Sequence, residues 1–298
     1  MAESCNAGWI DKILVTTDGS KFSEGAVREA IKLAKKCSGK LMAMSVVETN
    51  EEYAALAPEL VEKAEQAARA QLDAVKEQAN KEGLECDTIV REGEESYKYI
   101  VDEAVKNKCT MIVMGRRGRT GLRRLMMGSV TARVIGYSPC DVLVVPSGAQ
   151  HEFKNILIAT DGSKYSAKAA AEAVCLAKRS GGSLTVISVV PAEYSSHENL
   201  ELTVKQREQL GDTAQIDAEK YTREARETAQ KEGVPAKAFV MTGKPADIII
   251  QMALETKADL VVLGSHGRTG VDKLLMGSVA ERVIVLSACP VMVVKKTA

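Results

Sequence analysis

The chain has 298 residues, which is enough for two domains of ordinary size. Its 40 lysines and arginines balance 40 aspartates and glutamates, which argues against a generally basic nucleic-acid binder, and the 4% of aromatic residues leave few platforms for stacking bases. The sequence has neither a signal-peptide pattern nor an apolar run long enough to cross a bilayer. We therefore expect a cytoplasmic protein that binds neither nucleic acid nor a membrane.

Both halves of the chain follow one order of elements. In the first half, an apolar strand at 12–16 ends in a Thr-Asp-Gly turn, and a helix with apolar residues at three- and four-residue spacing follows at 24–37. Strands and helices then alternate up to a fifth strand. The long charged helices at 59–82 and, in the second half, at 204–232 are expected to be amphipathic with a solvated outer face.

This alternation predicts an α/β fold. Continuous apolar strands separated by amphipathic helices are typical of a parallel sheet covered by helices on both faces. Because the order occurs twice, we expect two such domains in tandem, residues 1–148 and 149–298. Their junction falls near 146–155, where Pro, Gly, Gln and His interrupt the apolar pattern.

A glycine-punctuated segment follows the fourth apolar strand of each half. It reads Gly115-x2-Gly118-x9-Gly128-Ser129 in the first half and Gly264-x2-Gly267-x9-Gly277-Ser278 in the second. Glycine lets backbone N–H groups approach an anion, and the serine that opens the last helix can cap it where free amides and the helix dipole favour phosphate. Arg119 and Arg268 add positive charge. The segment is not a Walker A loop, since it lacks G-K-[ST], yet it predicts a cradle for several phosphates.

Some of these residues have more than one interpretation. Asp18 and Asp161 could contact a ligand, or could only begin a turn with the glycine that follows. His266 could touch a ligand or face solvent. The first segment is rich in arginines that could bind phosphate, meet an acidic partner or the other domain, or face solvent, namely Arg116, Arg117, Arg119, Arg123 and Arg124.

The cysteines and histidines carry weaker signals. Cys140 and Cys289 precede the last apolar run of each half, and we expect packed thiols there rather than nucleophiles. Seven cysteines without a C-x-x-C pair suit a reducing compartment better than a disulfide framework. Because His151 and His197 have no Cys or His neighbour at metal-ligand spacing, no metal site made of protein ligands is expected.

The repeated segment resembles the signature of the universal stress protein family, in its ATP-binding branch. The strand ends Thr17-Asp18-Gly19-Ser20 and Thr160-Asp161-Gly162-Ser163 fit the same family, as does the "PC" or "CP" before each last strand. The resemblance covers nearly the whole chain. It implies two Rossmann-like five-stranded domains that bind ATP, with Mg²⁺ arriving on the nucleotide. Similar proteins usually dimerise through their last strands, which implies that the two domains pair as a pseudo-dimer and leaves a homodimer open.

The resemblance also assigns roles to residues. Asp18 and Asp161 would lie near the ribose and adenine, the backbone of Val46 and Val189 would contact adenine, and the phosphates would meet the glycines and serines. The nucleotide-binding residues expected in the first domain are Thr17, Asp18, Val46, Met114, Gly115, Gly118, Arg119, Gly128, Ser129 and Val130. Those expected in the second are Thr160, Asp161, Val189, Leu263, Gly264, Gly267, Arg268, Gly277, Ser278 and Val279.

The function that this resemblance implies is regulatory or protective under stress, with ATP bound and at most slowly hydrolysed. No catalytic residues are expected, because the sequence has no G-x-S-x-G elbow and no motif with paired carboxylates. One alternative is a nucleotide-free dimeric scaffold, in which the glycines and serines serve folding alone. A further alternative is an adenylyl-transferring enzyme, for which the sequence offers no second-substrate site.

Overall fold

The computed structural model describes residues 10–118, 126–148, 151–192, 204–268 and 276–295, with the backbone alone described for 204–210. The chain divides into two compact units, residues 6–150 and residues 151–296. Of the helices in the described ranges, none combines the length and the apolar character needed to cross a membrane.

The first unit alternates strands and helices. Its elements are β1 (Lys12–Thr16), α1 (Glu24–Cys37), β2 (Lys40–Glu48), α2 (Glu51–Leu56), α3 (Pro58–Lys81), β3 (Cys86–Gly93), α4 (Ser96–Lys106), β4 (Met111–Gly115), α5 (Ser129–Tyr137) and β5 (Asp141–Val145). The strands form a parallel sheet in the order β3-β2-β1-β4-β5.

The second unit repeats this architecture. Its elements are β6 (Asn155–Ala159), α6 (Lys164–Ser180), β7 (Ser183–Pro191), α7 (Val204–Lys231), β8 (Ala236–Gly243), α8 (Pro245–Glu255), β9 (Leu260–Gly264), α9 (Ser278–Leu286) and β10 (Val291–Val294). Its parallel strands lie in the order β8-β7-β6-β9-β10. The predicted α/β fold with parallel five-stranded sheets is confirmed in both units.

Because crossovers between parallel strands of one sheet are right-handed, the direction of each crossover decides which face of the sheet its helix covers. The connections through α1 and α3 run towards β3, whereas those through α4 and α5 run towards β5, so the two pairs of helices cover opposite faces. Strands β4 and β5 are buried along their whole length, while the strand β3 is partly exposed. This is the burial expected of a parallel sheet between two helical layers.

The short helix α2 was not predicted from the sequence. The Asn50 side chain begins it by accepting a hydrogen bond from the Tyr53 N–H at 2.6 Å, and Pro58 begins the next helix. None of the residues of α2 is buried. Since helix prediction rests on a periodic apolar face, a helix without a buried face gives little signal.

The residues that end α1 and α6 offer a matched test of backbone strain. Ser38 ends α1 with φ of 54°, and Gly181 ends α6 at the corresponding position with φ of 62°. In this left-handed region a residue with a Cβ is strained, whereas glycine is not. We expect Ser38→Gly to raise the free energy of unfolding of the first domain by up to about 1 kcal/mol, and Gly181→Ser to lower that of the second by a similar amount.

Denaturant unfolding of the two variants and the parent protein measures both changes. Ser38→Ala is the control, since alanine also carries a Cβ and should leave stability close to that of the parent. A stabilisation by Ser38→Ala as large as that by Ser38→Gly would contradict the strain argument.

Candidate functional site

A step in each sheet opens a cleft at the carboxyl ends of the strands. In the first domain, β1 finishes where the Thr17 N–H donates to the Met44 carbonyl at 2.9 Å, but β2 continues to Glu48. Alternate residues of a strand direct their N–H and C=O groups towards the same neighbouring strand. The N–H and C=O groups of Val46 therefore point into the space beyond the end of β1.

The second domain contains the same step. The Thr160 N–H donates to the Ile187 carbonyl at 2.9 Å, and β7 continues to Pro191. By the same alternation, the backbone groups of Val189 point past the end of β6. Each step lies beside the place where the strand order reverses, between β1 and β4 or between β6 and β9, which is where parallel α/β sheets bind their ligands.

Both clefts have the size of a small-molecule site, with volumes of about 370 Å³ in the first domain and about 330 Å³ in the second. The structure brings together in the first cleft Thr17, Asp18, Val46, Met114, Gly115, Gly118, Gly128, Ser129 and Val130. It brings together in the second Thr160, Asp161, Val189, Leu263, Gly264, Gly267, Arg268, Gly277, Ser278 and Val279. Arg119, Arg123 and Arg124 lie outside the described residues, as does His197.

The aspartate at the end of each first strand begins a turn. Asp18 Oδ1 accepts hydrogen bonds from the Ser20 N–H at 3.0 Å and from the Ser23 hydroxyl at 2.8 Å. In the second domain Asp161 Oδ1 accepts from the Ser163 N–H at 3.0 Å. The turn-forming role that the sequence left open is therefore present in both domains.

The second carboxylate oxygen of each aspartate faces the glycine-rich segment. A Cβ built on Gly118 would lie 2.9 Å from Asp18 Oδ2, and one built on Gly267 would lie 2.8 Å from Asp161 Oδ2. Asp161 Oδ2 also accepts a hydrogen bond from the Arg268 N–H at 3.0 Å. The Asp161 carboxylate thus holds the wall of the second cleft together, and in both domains a Cβ would crowd the carboxylate where the second glycine passes it.

The three glycines of each segment differ in how much space the structure leaves for a side chain. A Cβ on Gly115 would lie 2.9 Å from the Phe22 carbonyl oxygen, and one on Gly264 would lie 2.8 Å from Tyr165 Cβ, so packing excludes a side chain at both. In contrast, the nearest atom to a Cβ would be 3.4 Å away at Gly128 and 3.5 Å away at Gly277, which is ordinary contact. Packing among the described residues does not require this third glycine.

The third glycine is also the residue that precedes the last helix of each domain. Gly128 and Gly277 occupy the N-cap positions of α5 and α9, with extended backbone angles and no side-chain cap. The predicted capping role of Ser129 and Ser278 is therefore wrong, since each is the first residue inside its helix. The side chains of Ser129 and Ser278 are exposed and line the clefts. They lie beside the N–H groups of the first helical turn, which have no carbonyl acceptor within the helix.

Comparison with known proteins identifies the family to which the chain belongs. The model of the universal stress protein family matches residues 10–146 and again residues 152–295, which is nearly the whole chain. The chain belongs to the universal stress protein family. A universal stress protein of Methanocaldococcus jannaschii is 36% identical over 152 residues, covering 48% of this chain and 83% of the relative. The universal stress protein YxiE of Bacillus subtilis is 34% identical over 147 residues, covering 48% of this chain and 99% of the relative.

A solved structure shares the fold over both domains. The crystal structure of a universal stress protein from Archaeoglobus fulgidus DSM 4304 aligns with a TM-score of 0.72 at 22% identity, covering 98% of each chain. The two family matches show two universal stress protein domains in one chain, and this solved structure has the same fold over nearly its whole length.

The two universal stress protein domains differ at the start of the glycine-rich segment. Arg116 and Arg117 follow Gly115, and the Arg117 Nε donates to the Met126 carbonyl at 3.0 Å across the segment. Burial and the neighbouring Arg117 lower the pKa of Arg116 from its ordinary value. In the second domain Ser265 is fully buried and its hydroxyl lies 3.2 Å from His266 Nδ1.

The clefts also differ at the end of the longer strand, a difference that sequence reasoning missed. Glu48 lines the first cleft and accepts a hydrogen bond from the Ser96 hydroxyl at 2.8 Å. Pro191 and Pro245 line the second cleft at the corresponding places. One cleft is therefore polar and acidic at this end, and the other is apolar. An alignment of the two halves could have found this exchange, had these positions been suspected of lining the cleft.

No group of three or more His, Cys, Asp or Glu that could hold a metal ion occurs within the described residues. His266, which the sequence left open, lines the second cleft and packs beside the Tyr165 ring, with ring centroids 5.4 Å apart. His266 therefore adds an imidazole to the wall of the second cleft.

The cysteines before the last strands pack against serines. Cys140 is half-buried and Cys289 is buried, and their sulfurs lie 3.5 Å and 3.4 Å from the hydroxyls of Ser138 and Ser287. Burial raises the pKa of Cys289 and raises the pKa of Cys140 to about 11. Both are packed thiols, as expected. Cys175, by contrast, is disulfide-bonded, which the sequence did not predict.

We expect Cys140 to resist alkylation in the folded protein. Its pKa of about 11, against an ordinary value of 9.0, lowers the thiolate fraction at pH 8 by about a hundredfold. Iodoacetamide should modify it increasingly fast as the pH rises from 8 to 11, as followed by mass spectrometry of the Cys140 peptide. The urea-unfolded chain is the control, and equal rates in the folded and unfolded chains at pH 8 would contradict this prediction.

Proposed function

We propose that each domain binds ATP or a closely related adenine nucleotide in its cleft, and that the protein has a regulatory or protective role in the stress response. The observation that carries the proposal is the pairing, repeated in both domains, of exposed strand backbone with a helix N-terminus across one cleft. In this proposal the strand backbone contacts the base of the nucleotide, and the helix N-terminus contacts its phosphates.

The phosphate end is supported by the third glycine of each segment. Among the described residues, packing leaves room for a Cβ at Gly128 and Gly277, which supports a reason for glycine other than packing. First-turn amides, the helix dipole and an exposed serine hydroxyl favour an anion at this place. The scaffold alternative, in which all of the glycines serve folding, accounts for the first two glycines of each segment but not for the third.

The base end is supported by the backbone of Val46 and Val189. A neighbouring N–H donor and C=O acceptor match adenine, whose edge presents a ring nitrogen acceptor beside an amino donor. Guanine presents the reverse order, an oxygen acceptor beside a ring N–H donor. The apolar side chains of Met114 and Leu263, both 4% exposed, provide part of the cleft wall.

We further propose that hydrolysis of ATP is at most slow. Efficient phosphoryl transfer to water needs a residue that orients or activates the water. The carboxylates that line the two clefts already accept hydrogen bonds from the surrounding chain, namely Asp18, Glu48 and Asp161. A cytoplasmic location, Mg²⁺ bound with ATP, pairing of the two domains and a homodimer belong to the same proposal.

The phosphate end can be tested without weakening the fold. Aspartate is a better N-cap than glycine, and the extended backbone of Gly128 and Gly277 accepts any residue. We expect Gly277→Asp to keep or slightly raise thermal stability but to repel phosphate, so that isothermal titration of Mg-ATP falls from two equivalents per chain to one. Gly128→Asp should likewise remove the equivalent bound by the first domain.

Gly277→Asn is the matched control, since asparagine caps equally well and has the same shape without the charge. It should lose less affinity than Gly277→Asp. Two equivalents bound by Gly277→Asp at unchanged affinity would contradict the phosphate assignment. If the parent protein stripped of nucleotide binds no Mg-ATP, the nucleotide proposal is wrong and the scaffold alternative takes its place.

The base end predicts a preference for adenine. We expect both sites of the parent protein to bind ATP more than about tenfold tighter than GTP, because guanine would leave buried backbone donors and acceptors mismatched. Competition titrations with the two nucleotides measure the ratio, and a free triphosphate control reports the phosphate contribution alone. Equal affinities for ATP and GTP would contradict the assignment of Val46 and Val189.

A further inference from the structure

Arg268, the residue after the second glycine of the segment, is held by three partners in the second domain. Its Nε donates to the Asp161 carbonyl oxygen, and its terminal nitrogen lies 3.9 Å from the Asp217 carboxylate. Its guanidinium carbon lies 5.0 Å from the centroid of the Tyr221 ring, within the range of a cation–π contact. The start of the glycine-rich segment is thus attached both to the end of β6 and to α7.

The two α7 residues of this contact act on the same part of the cleft. Asp217 and Tyr221 are four residues apart and so lie on one face of the helix. The Tyr221 ring also covers the turn after β6, since a Cβ built on Gly162 would lie 2.2 Å from the ring. We call Asp217, Tyr221 and Arg268 the α7 clamp.

The first domain lacks the two α7 side chains of this clamp. Two alanines of the long helix line each cleft and set the correspondence between the helices, Ala64 and Ala68 in α3 and Ala214 and Ala218 in α7. By that correspondence Ala67 stands for Asp217, and Gln71 stands for Tyr221. Gln71 still covers the turn after β1, with its side chain 2.1 Å from a Cβ built on Gly19. The first domain therefore keeps the cover but has neither the carboxylate nor the aromatic ring.

We propose that the α7 clamp preorganises the start of the glycine-rich segment in the second domain, Gly264 to Arg268, and that this cleft is consequently the higher-affinity nucleotide site of the chain. This inference rests on the proposed function. When a ligand can bind only after part of the protein becomes ordered, the conformational entropy lost in that ordering weakens the affinity. Contacts that fix the position of a binding residue before the ligand arrives avoid this loss. Asp217, Tyr221 and Arg268 are positioning residues, since they act through the backbone of the segment.

The expected size of the effect follows from the contacts. The side chains of Arg268 and Asp217 are 47% and 38% exposed, so solvent weakens their ion pair, and the cation–π contact adds a comparable amount. Together they should favour the observed position of Arg268 by about tenfold. The two sites of the parent chain should then differ in Mg-ATP affinity by a factor of this order.

The first experiment replaces the two α7 residues of the clamp by the residues that the first domain has at the corresponding positions. Full-length Asp217→Ala/Tyr221→Gln is compared with the parent chain, each carrying Gly128→Asp so that the second site is titrated alone with Mg-ATP. We expect about tenfold weaker binding and faster dissociation of nucleotide. In the nucleotide-free protein, hydrogen exchange of the Arg268 amide should become faster, which reports the clamp independently of any ligand.

The reciprocal experiment adds the clamp to the first domain. Ala67→Asp/Gln71→Tyr, in a chain carrying Gly277→Asp, should strengthen Mg-ATP binding at the first site, since Arg119 stands at the position equivalent to Arg268. Addition of Arg119→Ala should cancel the gain. A role of the clamp in the stability of the second domain alone would produce no gain in the first, so an absent gain counts against the proposal.

The outcomes separate this inference from the proposed function. If the parent chain binds no Mg-ATP, the proposed function fails and the clamp inference fails with it. If both domains bind Mg-ATP but Asp217→Ala/Tyr221→Gln leaves the affinity of the second site within about twofold, the clamp inference alone is overturned. A weaker second site together with a strengthened first site supports it.

Discussion

The unequal length of neighbouring strands is the constraint on which both clefts depend. A strand that stops after five residues beside one that continues for nine leaves backbone donors and acceptors without a partner strand. Buried groups of this kind are costly unless something satisfies them, and here they face a cleft that a ligand or water can enter. In the second domain Asp161, in the turn that follows the short strand, also accepts a hydrogen bond from the glycine-rich segment, so one residue contributes to the end of the strand and to the opposite wall.

The glycines show how a single motif combines structural and ligand-related constraints. Gly264 and Gly267 are required by the chain itself, because a side chain would collide with Tyr165 in one case and with the Asp161 carboxylate in the other. Gly277 is not required in this way. A motif match therefore cannot by itself distinguish a binding site from a packing requirement. The distinction depends on which glycines have space around them, and that space becomes visible only when the chain is folded.

The sequence predicted the order of the elements because apolar periodicity and repetition report burial directly. The residues that the family resemblance assigned to a site line the clefts wherever the structure describes them, because they lie at strand ends and at the start of one helix. The sequence could not predict α2, which has no buried face, or the exact place of Ser129 and Ser278, since a helix start is known from sequence only to within a few residues. It also assigned a solvated face to the charged α7. Asp217 and Tyr221 lie on that helix but contact the segment, and their partner is distant in sequence.

The differences between the domains fall on side chains that surround a site made mostly of backbone. The strand step and the helix N-terminus are common to both, so both clefts should accept the same class of ligand. The polarity of the rim differs because the first cleft has Glu48 and Ser96 where the second has Pro191 and Pro245. Its rigidity differs because Gln71 stands in the first domain at the position of Tyr221 in the second. Mutation of a rim residue leaves the backbone geometry intact, so the affinities of two duplicated domains can diverge while their ligand stays the same. In one chain, this would produce two sites that respond to different concentrations of a shared ligand.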